Sequence, residues 1–475
     1  MATQFIFIHV LAPLSFPPPV ADESWFIIPA ISVSEGHWFA ADRALIPDIY
    51  WMPPAIYIVY GLALSIAHHG SLVGARVVSF LFMVIATLLF GRANGKVLGK
   101  EHPFVKVTVL CWALCLPEVV AGDIVRPEAL SICLSLSALL SLFEARWIGA
   151  AGFTLLSLLT HPLLAAPILL VFAAALPAFR PTPPRPWEWG VLAMAIGLAS
   201  LEATRFSLDF HTYLTHWRFQ VHFKTSLASP FNMLLSTPIT FALLAASAIH
   251  CRRSSTTLAL PSTRQLLLAL FALAALQVWV FAPHLYYRPF VVLGVLALMA
   301  AGFAAAAGRG HVIPIAAFHC IAIIIVLISW LPKFDQRPQS GIYTSRPHPL
   351  DPEPQVLVDL AIPARRSLLD GTPHRVLVSP ALYYAFLHDR DPEGLDVWTW
   401  TSFRASIPVP FDRVVLTTIG RDWGNVGAHS LQGYICTESS TLSTRDGGHS
   451  LDILTVAPNP DSPKAPFRPC SPPVS

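Results

Sequence analysis

The chain has 475 residues, of which 54% are hydrophobic and only 12% are charged, with a formal net charge of +3. Soluble globular proteins carry about 25% charged residues, so the composition excludes an ordinary soluble protein, a disordered chain and a nucleic-acid-binding protein. A mean hydropathy of +0.58 and long uncharged stretches instead predict an α-helical, polytopic protein whose partner is the lipid bilayer.

Apolar segments predict about 11 membrane spans, all of them before residue 334. They lie near residues 1–20, 72–91, 104–121, 128–143, 147–160, 162–179, 187–204, 231–250, 264–282, 289–307 and 311–331. Lys and Arg concentrate in the loops on one side of this arrangement, which the positive-inside rule makes cytoplasmic. These loops are 92–103, 144–146, 180–186, 251–264 and 308–310.

The first external loop, residues 21–71, contains a second apolar stretch at 53–70. If this stretch crossed the membrane, every later loop would change sides and the basic loops would face outward. We therefore expect 53–70 to be a helix lying along the outer membrane surface. Its start at Pro53-Pro54 is typical of a helix N-terminus.

From Asp335 onward the sequence changes to mixed charge, many prolines and short apolar runs. This change divides the chain into a transmembrane catalytic domain, 1–333, and an extracytoplasmic α/β domain, 334–475. In the second domain we predict helices at 354–369 and 381–389, strands at 374–380 and 412–418, and a closing hairpin of 434–440 with 449–457. Cys436 and Cys470 either form a disulfide outside the cytoplasm or remain two unpaired thiols.

Ionisable residues gather at the outer ends of the predicted spans, where charge is costly and marks functional sites. Asp22 and Glu23 follow the first span, and the loop 205–230 is rich in acids and bases. The predicted site residues are the catalytic pair Asp22 and Glu23, the acceptor- or metal-positioning residues Asp123, Arg126, Glu128 and His161, and the phosphate-binding residues Arg288, Arg218 and Lys224.

An active site facing outward has no supply of nucleotide sugars or ATP. A group-transfer enzyme there needs a donor delivered in the membrane, such as a polyprenyl-phosphate-linked sugar. Arg288, Arg218 and Lys224 would bind the leaving phosphate. Asp22 would remove a proton from the acceptor hydroxyl, because its neighbour Glu23 raises the pKa of one carboxyl group of the pair.

Three segments resemble the beginning of the GT-C superfamily of integral membrane glycosyltransferases, in the branch that uses polyprenyl-phosphate sugars. They are DESWFIIPAISVSEGHWF from residue 22, WMPPAIYIVYGLAL from residue 51 and GARVVSFLF from residue 74. The resemblance implies a GT-C fold and an inverting sugar transfer with Asp22 as general base. It also implies that Arg76 enters the next span, that Arg126-Pro127-Glu128 is a second acidic motif and that Arg288 contacts the donor phosphate.

The sequence leaves several alternatives open. A transporter or lipid flippase without transferase activity is the main one, although the later spans are uncharged, and a receptor-like or assembly protein is another. For the transferase, the sugar, the acceptor (glycan, lipid or protein) and the use of a divalent metal as cofactor also stay open. The expected location is the bacterial inner membrane.

Overall fold

The computed structural model describes the N-terminal helices and the C-terminal sheet. The described residues are 21–34, 53–66, 72–98, 125–161, 182–208, 353–378, 395–399, 410–417, 431–443 and 450–460, with single positions or short pieces at 101, 105, 106, 109, 165, 210, 211, 214, 386, 465–468 and 470. Before residue 210 they form helices α1 (Ala21–Ser34), α2 (Pro54–Ile66), α3 (Leu72–Leu98), α4 (Pro127–Phe143), α5 (Trp147–Leu158) and α6 (Pro186–Leu208).

Helices α3 to α6 coincide with four of the predicted spans. Within the described residues, Gly74–Lys96 and Pro186–Leu208 are the helices long and apolar enough to cross a membrane. The large exposed side chains of α3 form one stripe along the helix, which suits lipid rather than water; they are Val77, Leu81, Ile85 and Leu88. The other predicted spans lie wholly or almost wholly outside the described residues, so the number of spans remains a prediction.

Helices α1 and α2 differ in part from the expectation for the first external loop. The segment 21–34 is helical, because its apolar run DESWFIIPAISV can bury one face against α2. The expected helix at 53–70 is present as α2, with Pro54 at its first position. Its 13 residues make it about 20 Å long, shorter than the about 30 Å of hydrocarbon that a span must cross.

The packing of α1 on α2 depends on one glycine. A Cβ atom at Gly61 would lie 2.7 Å from the carbonyl oxygen of Ala30 and 2.9 Å from Val33. Small residues allow such backbone approach between membrane helices. The side chains of Tyr57 and Tyr60 on α2 are 1% and 0% exposed, whereas Leu62 is 51% exposed, so α2 is covered by protein on one face and exposed on the other.

Helices α3 and α4 run parallel. Near the start of α3, Ser79 lies beside Tyr60, whose hydroxyl also reaches the residue before α4. At the other end, Arg92 of α3 bonds Glu144, which directly follows α4, at 2.9 Å. Two parallel neighbours need a return of the chain between them, and the predicted span at 104–121 would provide it.

Helix α4 turns sharply into α5, which runs antiparallel to it. Ala145 has a positive φ of 57°, and hydrogen bonds from Arg146 N to Ser141 O and from Ala145 N to Leu142 O close the turn, a Schellman motif. Between the two helices, Ser157 Oγ lies 3.2 Å from Ser131 Oγ and 3.0 Å from Ser135 Oγ.

Helices α5 and α6 are again parallel, with Gly152 at their closest approach. A Cβ there would lie 2.9 Å from Val191 Cγ1 and 3.0 Å from Leu192 N. The start of α6 reaches the start of α5 because Glu188 bonds Arg146 Nη1 at 3.1 Å. The ends of α3 and α4 and the starts of α5 and α6 therefore share one side, as predicted for the loops 92–103, 144–146 and 180–186.

After residue 352, the described residues form a helix and a mixed sheet. The elements are α7 (Glu353–Leu368), β1 (His374–Val378), β2 (Leu395–Thr399), β3 (Arg413–Thr417), β4 (Tyr434–Ser443) and β5 (Ser450–Pro458). Their order in the sheet is β2-β1-β3-β5-β4. Strand β1 is parallel to β2 and β3, whereas β5 is antiparallel to β3 and β4.

Helix α7 and strands β1, β3, β4 and β5 lie where the sequence predicts them, whereas β2 was not among the predicted strands. The central strand β1 has Val376, Leu377 and Val378 fully buried, as its apolar run indicates. The helix expected at 381–389 lies outside the described residues except for Phe386, which is helical. That residues 334–475 form a separate domain outside the cytoplasm stays a prediction.

A short C-terminal strap, residues 465–470, borders the edge strand β4. Ile435 forms a parallel bridge with Arg468, and Cys436 and Cys470 form a disulfide with their Cα atoms 4.7 Å apart. Of the two alternatives for these cysteines, the structure shows the bonded one.

Candidate functional site

A buried ion pair marks the start of α4. Arg126 Nε lies 3.1 and 3.2 Å from the two carboxylate oxygens of Glu128, and Arg126 Nη2 lies 3.1 Å from Oε1. The side chains of Arg126 and Glu128 are only 11% and 4% exposed. A buried carboxylate is tolerated only when it is paired and hydrogen-bonded, so Glu128 and Arg126 act as one unit.

The backbone at Arg126 is extended, with φ −148° and ψ 163°, as expected for a residue before proline. Its carbonyl oxygen accepts a hydrogen bond from the Tyr60 hydroxyl at 3.3 Å. The same hydroxyl lies 2.6 Å from Ser79 Oγ. Arg76, one turn before Ser79 on the same face of α3, is only 1% exposed.

Helix α1 passes close to this pair. The guanidinium carbon of Arg126 lies 6.0 Å from the ring centroid of Phe26, within cation–π range. Asp22 and Glu23 belong to the first turn of α1, one turn of backbone before Phe26. The backbone thus places Asp22, Glu23, Arg126 and Glu128 at one end of the helices.

His161 follows α5 and reaches the same end. Its backbone N–H bonds the carbonyl of Ser157 at 2.9 Å, and Ser157 is level with Ser131 of α4. Because α4 and α5 are antiparallel, one further turn leads from Ser131 back to Glu128 and from Ser157 on to His161. The side chain of His161 is buried, with 2% exposure.

The remaining predicted site residues lie outside the described residues: Asp123, Arg218, Lys224 and Arg288, together with the side chains of Asp22 and Glu23. Among the residues that the structure describes, no three His, Cys, Asp or Glu side chains converge to hold a metal ion.

Sequence reasoning did not identify Tyr60 and Ser79 as site residues. Both side chains are 0% exposed, and both stand in apolar helices where a single hydroxyl suggests no role. The one available signal was the tyrosine itself, since a buried phenol requires a hydrogen-bond partner where phenylalanine would not.

No protein-family model matches this sequence, and no curated protein matches it. Comparison of structures is more informative. The crystal structure of ArnT from Cupriavidus metallidurans in the apo state aligns with a TM-score of 0.54 and 13% identity, over 98% of this chain and 98% of that chain. ArnT from the same organism bound to undecaprenyl phosphate aligns with a TM-score of 0.55 and 13% identity, over 98% and 99% of the two chains.

The alignments with ArnT extend over almost the whole of both chains, although few residues are identical. The chain therefore has the fold seen in these ArnT structures, in agreement with the fold that the resemblance to the GT-C superfamily implies.

Proposed function

We propose that this protein is a membrane glycosyltransferase that moves a sugar from a polyprenyl-phosphate carrier to an acceptor hydroxyl. The observation that carries the proposal is the meeting of α1, with Asp22 in its first turn, and the buried Arg126–Glu128 pair. Within a GT-C fold this end of the helices is the place where a carboxylate, a cation and an acceptor can meet.

The class of sugar donor follows from the side of the membrane that the site faces. Membrane helices that end at an external face can receive a lipid-linked sugar by lateral diffusion, and a structure of ArnT holds undecaprenyl phosphate. Arg288, Arg218 and Lys224 would hold the phosphate, Arg through two parallel hydrogen bonds and Lys as a point charge.

The reaction requires one proton transfer and one exchange of bonds. Asp22 accepts the proton of the acceptor hydroxyl as its oxygen attacks the anomeric carbon of the sugar. The bond between that carbon and the phosphate oxygen breaks, and its electron pair leaves with the polyprenyl phosphate. Attack from the side opposite the phosphate inverts the anomeric configuration. Glu23, Asp123, His161 and the Arg126–Glu128 unit would orient the acceptor.

The site would face away from the cytoplasm. The salt bridges among Arg92, Glu144, Arg146 and Glu188 lie at the other end of the helices, among the basic loops that the positive-inside rule assigns to the cytoplasm. The disulfide between Cys436 and Cys470 supports the same orientation, because disulfides persist in oxidising compartments. The location is then the bacterial inner membrane.

Mass spectrometry of cell-envelope glycans tests the proposal. A deletion strain is complemented with wild-type protein, with Asp22→Asn, or with Glu101→Gln as a control that neutralises an exposed carboxylate on the cytoplasmic side. We expect one defined sugar to be lost in the deletion and restored by wild type and Glu101→Gln but not by Asp22→Asn at equal membrane abundance. Full restoration by Asp22→Asn would remove the proposed base and favour a transporter or flippase.

A further inference from the structure

We propose that Tyr60 is a positioning residue of this site, which sets the Arg126–Glu128 unit in place without touching substrate. This inference rests on the transferase function proposed above. Tyr60 belongs to α2, Ser79 to α3 and Arg126 to the segment before α4, and the hydroxyl of Tyr60 contacts both of the others. One oxygen atom therefore joins three segments of the chain.

The direction of the hydrogen bonds follows from counting protons. A phenol has one proton, and the carbonyl of Arg126 can only accept, so Tyr60 donates to that carbonyl at 3.3 Å. Ser79 must then be the donor in the 2.6 Å contact with the Tyr60 oxygen. The result is a short chain from Ser79 through Tyr60 to Arg126, in which each bond polarises the next.

The surroundings give this chain a role beyond packing. Tyr60 is 0% exposed beside the buried apolar residues Ile56, Leu64 and Ala75, where phenylalanine would bury the same ring without needing a partner. A hydroxyl at such a position is costly unless it is bonded. Its benefit is directional, because it ties the segment before α4 to α2 and α3 at a defined point.

A shift of the segment before α4 would move the charged groups of the site. Arg126 is the residue directly before α4, and its side chain bonds Glu128 two residues later. The peptide held by Tyr60 thus carries both members of the pair. An error of about 1 Å in a positioning group can lower a rate about 100-fold.

The experiment compares loss of this hydroxyl with loss of an equivalent hydroxyl elsewhere. Tyr60→Phe and Ser79→Ala each break the chain, whereas the control Ser135→Ala removes a buried serine bond between α4 and α5. Glycosyl transfer to the acceptor identified by the envelope analysis is measured for purified full-length protein, together with thermal unfolding and amide exchange of residues 126–130.

We expect Tyr60→Phe and Ser79→Ala to lower kcat about 10- to 100-fold and to speed amide exchange at 126–130. Ser135→Ala should keep kcat within about twofold of wild type. Its thermal stability should nevertheless fall as much as that of Tyr60→Phe and Ser79→Ala. Combining Tyr60→Phe with Arg126→Lys should lower kcat by less than the product of the two single effects, since both act on one unit.

The inference is overturned by a Tyr60→Phe enzyme whose kcat matches that of Ser135→Ala, or by multiplicative effects in the double variant. A wild-type protein without transferase activity would instead overturn the proposed function. In that case amide exchange tests the positioning role on its own. The role is refuted if exchange at residues 126–130 is as slow in Tyr60→Phe as in wild type.

Discussion

Glu188 and Arg146 form a buried salt bridge, with Oε1 and Nη1 3.1 Å apart and side chains 1% and 14% exposed. The Glu188 carboxylate also accepts the backbone N–H of Gly149 at 3.3 Å and that of Arg185 at 3.2 Å. One carboxylate thereby joins the start of α6, the start of α5 and the turn before α5, at the end of the helices opposite the proposed active site.

Replacing Glu188 should destabilise the membrane domain. Glu188→Ala leaves Glu144, 3.0 Å from Arg146 Nε, as the remaining carboxylate partner of Arg146. The expected cost is therefore about 1–3 kcal/mol, below the about 3–5 kcal/mol of a buried charge left unpaired. Glu101→Gln removes an exposed carboxylate and should change the free energy of unfolding by less than about 0.5 kcal/mol. Unfolding of the purified proteins in detergent measures both. Equal stabilities of Glu188→Ala and Glu101→Gln would contradict this prediction.

The approach of α6 to α5 predicts opposite effects for two glycines. Gly152→Ala puts a methyl group 3.0 Å from the backbone nitrogen of Leu192, so the helices must separate, at a cost of about 1–3 kcal/mol. Gly197, in α6, has nothing within 4 Å of a new Cβ, and Gly197→Ala should stabilise the helix by up to about 1 kcal/mol. Thermal unfolding of both variants provides the comparison. The prediction is refuted if Gly197→Ala is less stable than wild type while Gly152→Ala is not.

His374 predicts how the C-terminal region responds to pH. Its Nδ1 lies 2.5 Å from Asp412 Oδ2, and its Nε2 lies 3.0 Å from Asp370 Oδ2. Burial lowers the pKa of His374, but the hydrogen bonds to Asp370 and Asp412 outweigh burial and hold this pKa above its usual value of 6.5. The stabilisation from this cluster is therefore complete below pH 6.5 and is lost as pH rises through the higher pKa of the folded state.

The acid side of this dependence has the opposite sign. Hydrogen bonds from Thr372 and then His374 hold the pKa of Asp370 well below its usual 3.8, so its contribution is lost as pH falls below that value. The difference in Tm between wild type and His374→Gln should be largest near pH 5 to 6 and should shrink towards pH 8. A difference that stays constant over this range would rule out the cluster as its cause.

Loss of the disulfide should destabilise the C-terminal region. Cys436 and Cys470 are separated by 34 positions, and closing a loop of that size contributes about 3–4 kcal/mol. We expect Cys436→Ser to unfold earlier than wild type, and a reductant to bring wild type to the level of the variant. Added reductant should not change Cys436→Ser further, which controls for other effects of reduction.

Local patterns predicted the elements better than they predicted the contacts between them. Prolines at positions 54, 127 and 186 mark helix starts, and the alternation of helix and strand after residue 352 was evident from short apolar runs. By contrast, the partner of Glu188 lies 42 residues earlier. In sequence, Glu188 is an ordinary acid at a helix N-terminus, a common solvated position.

The site shows the same division. The motifs and the predicted topology placed Arg126, Glu128 and His161 together at one end of the helices, and the structure has these three residues at one end. The bond from Tyr60 to Arg126 joins residues 66 positions apart, and the helical character of 21–34 depends on the bulk of α2 beside it. Neither contact leaves a periodic signal in the chain.

The strap along β4 has a consequence for crowding within the membrane. Proteins confined to a bilayer meet one another often, and an open strand edge invites pairing between neighbouring copies. The strap covers the first part of the open edge of β4. The later part of β4 exposes Glu438, Ser439, Ser440 and Thr441. The edge of β4 is thus covered at one end and hydrophilic at the other, and we expect both features to disfavour pairing between the sheets of neighbouring molecules.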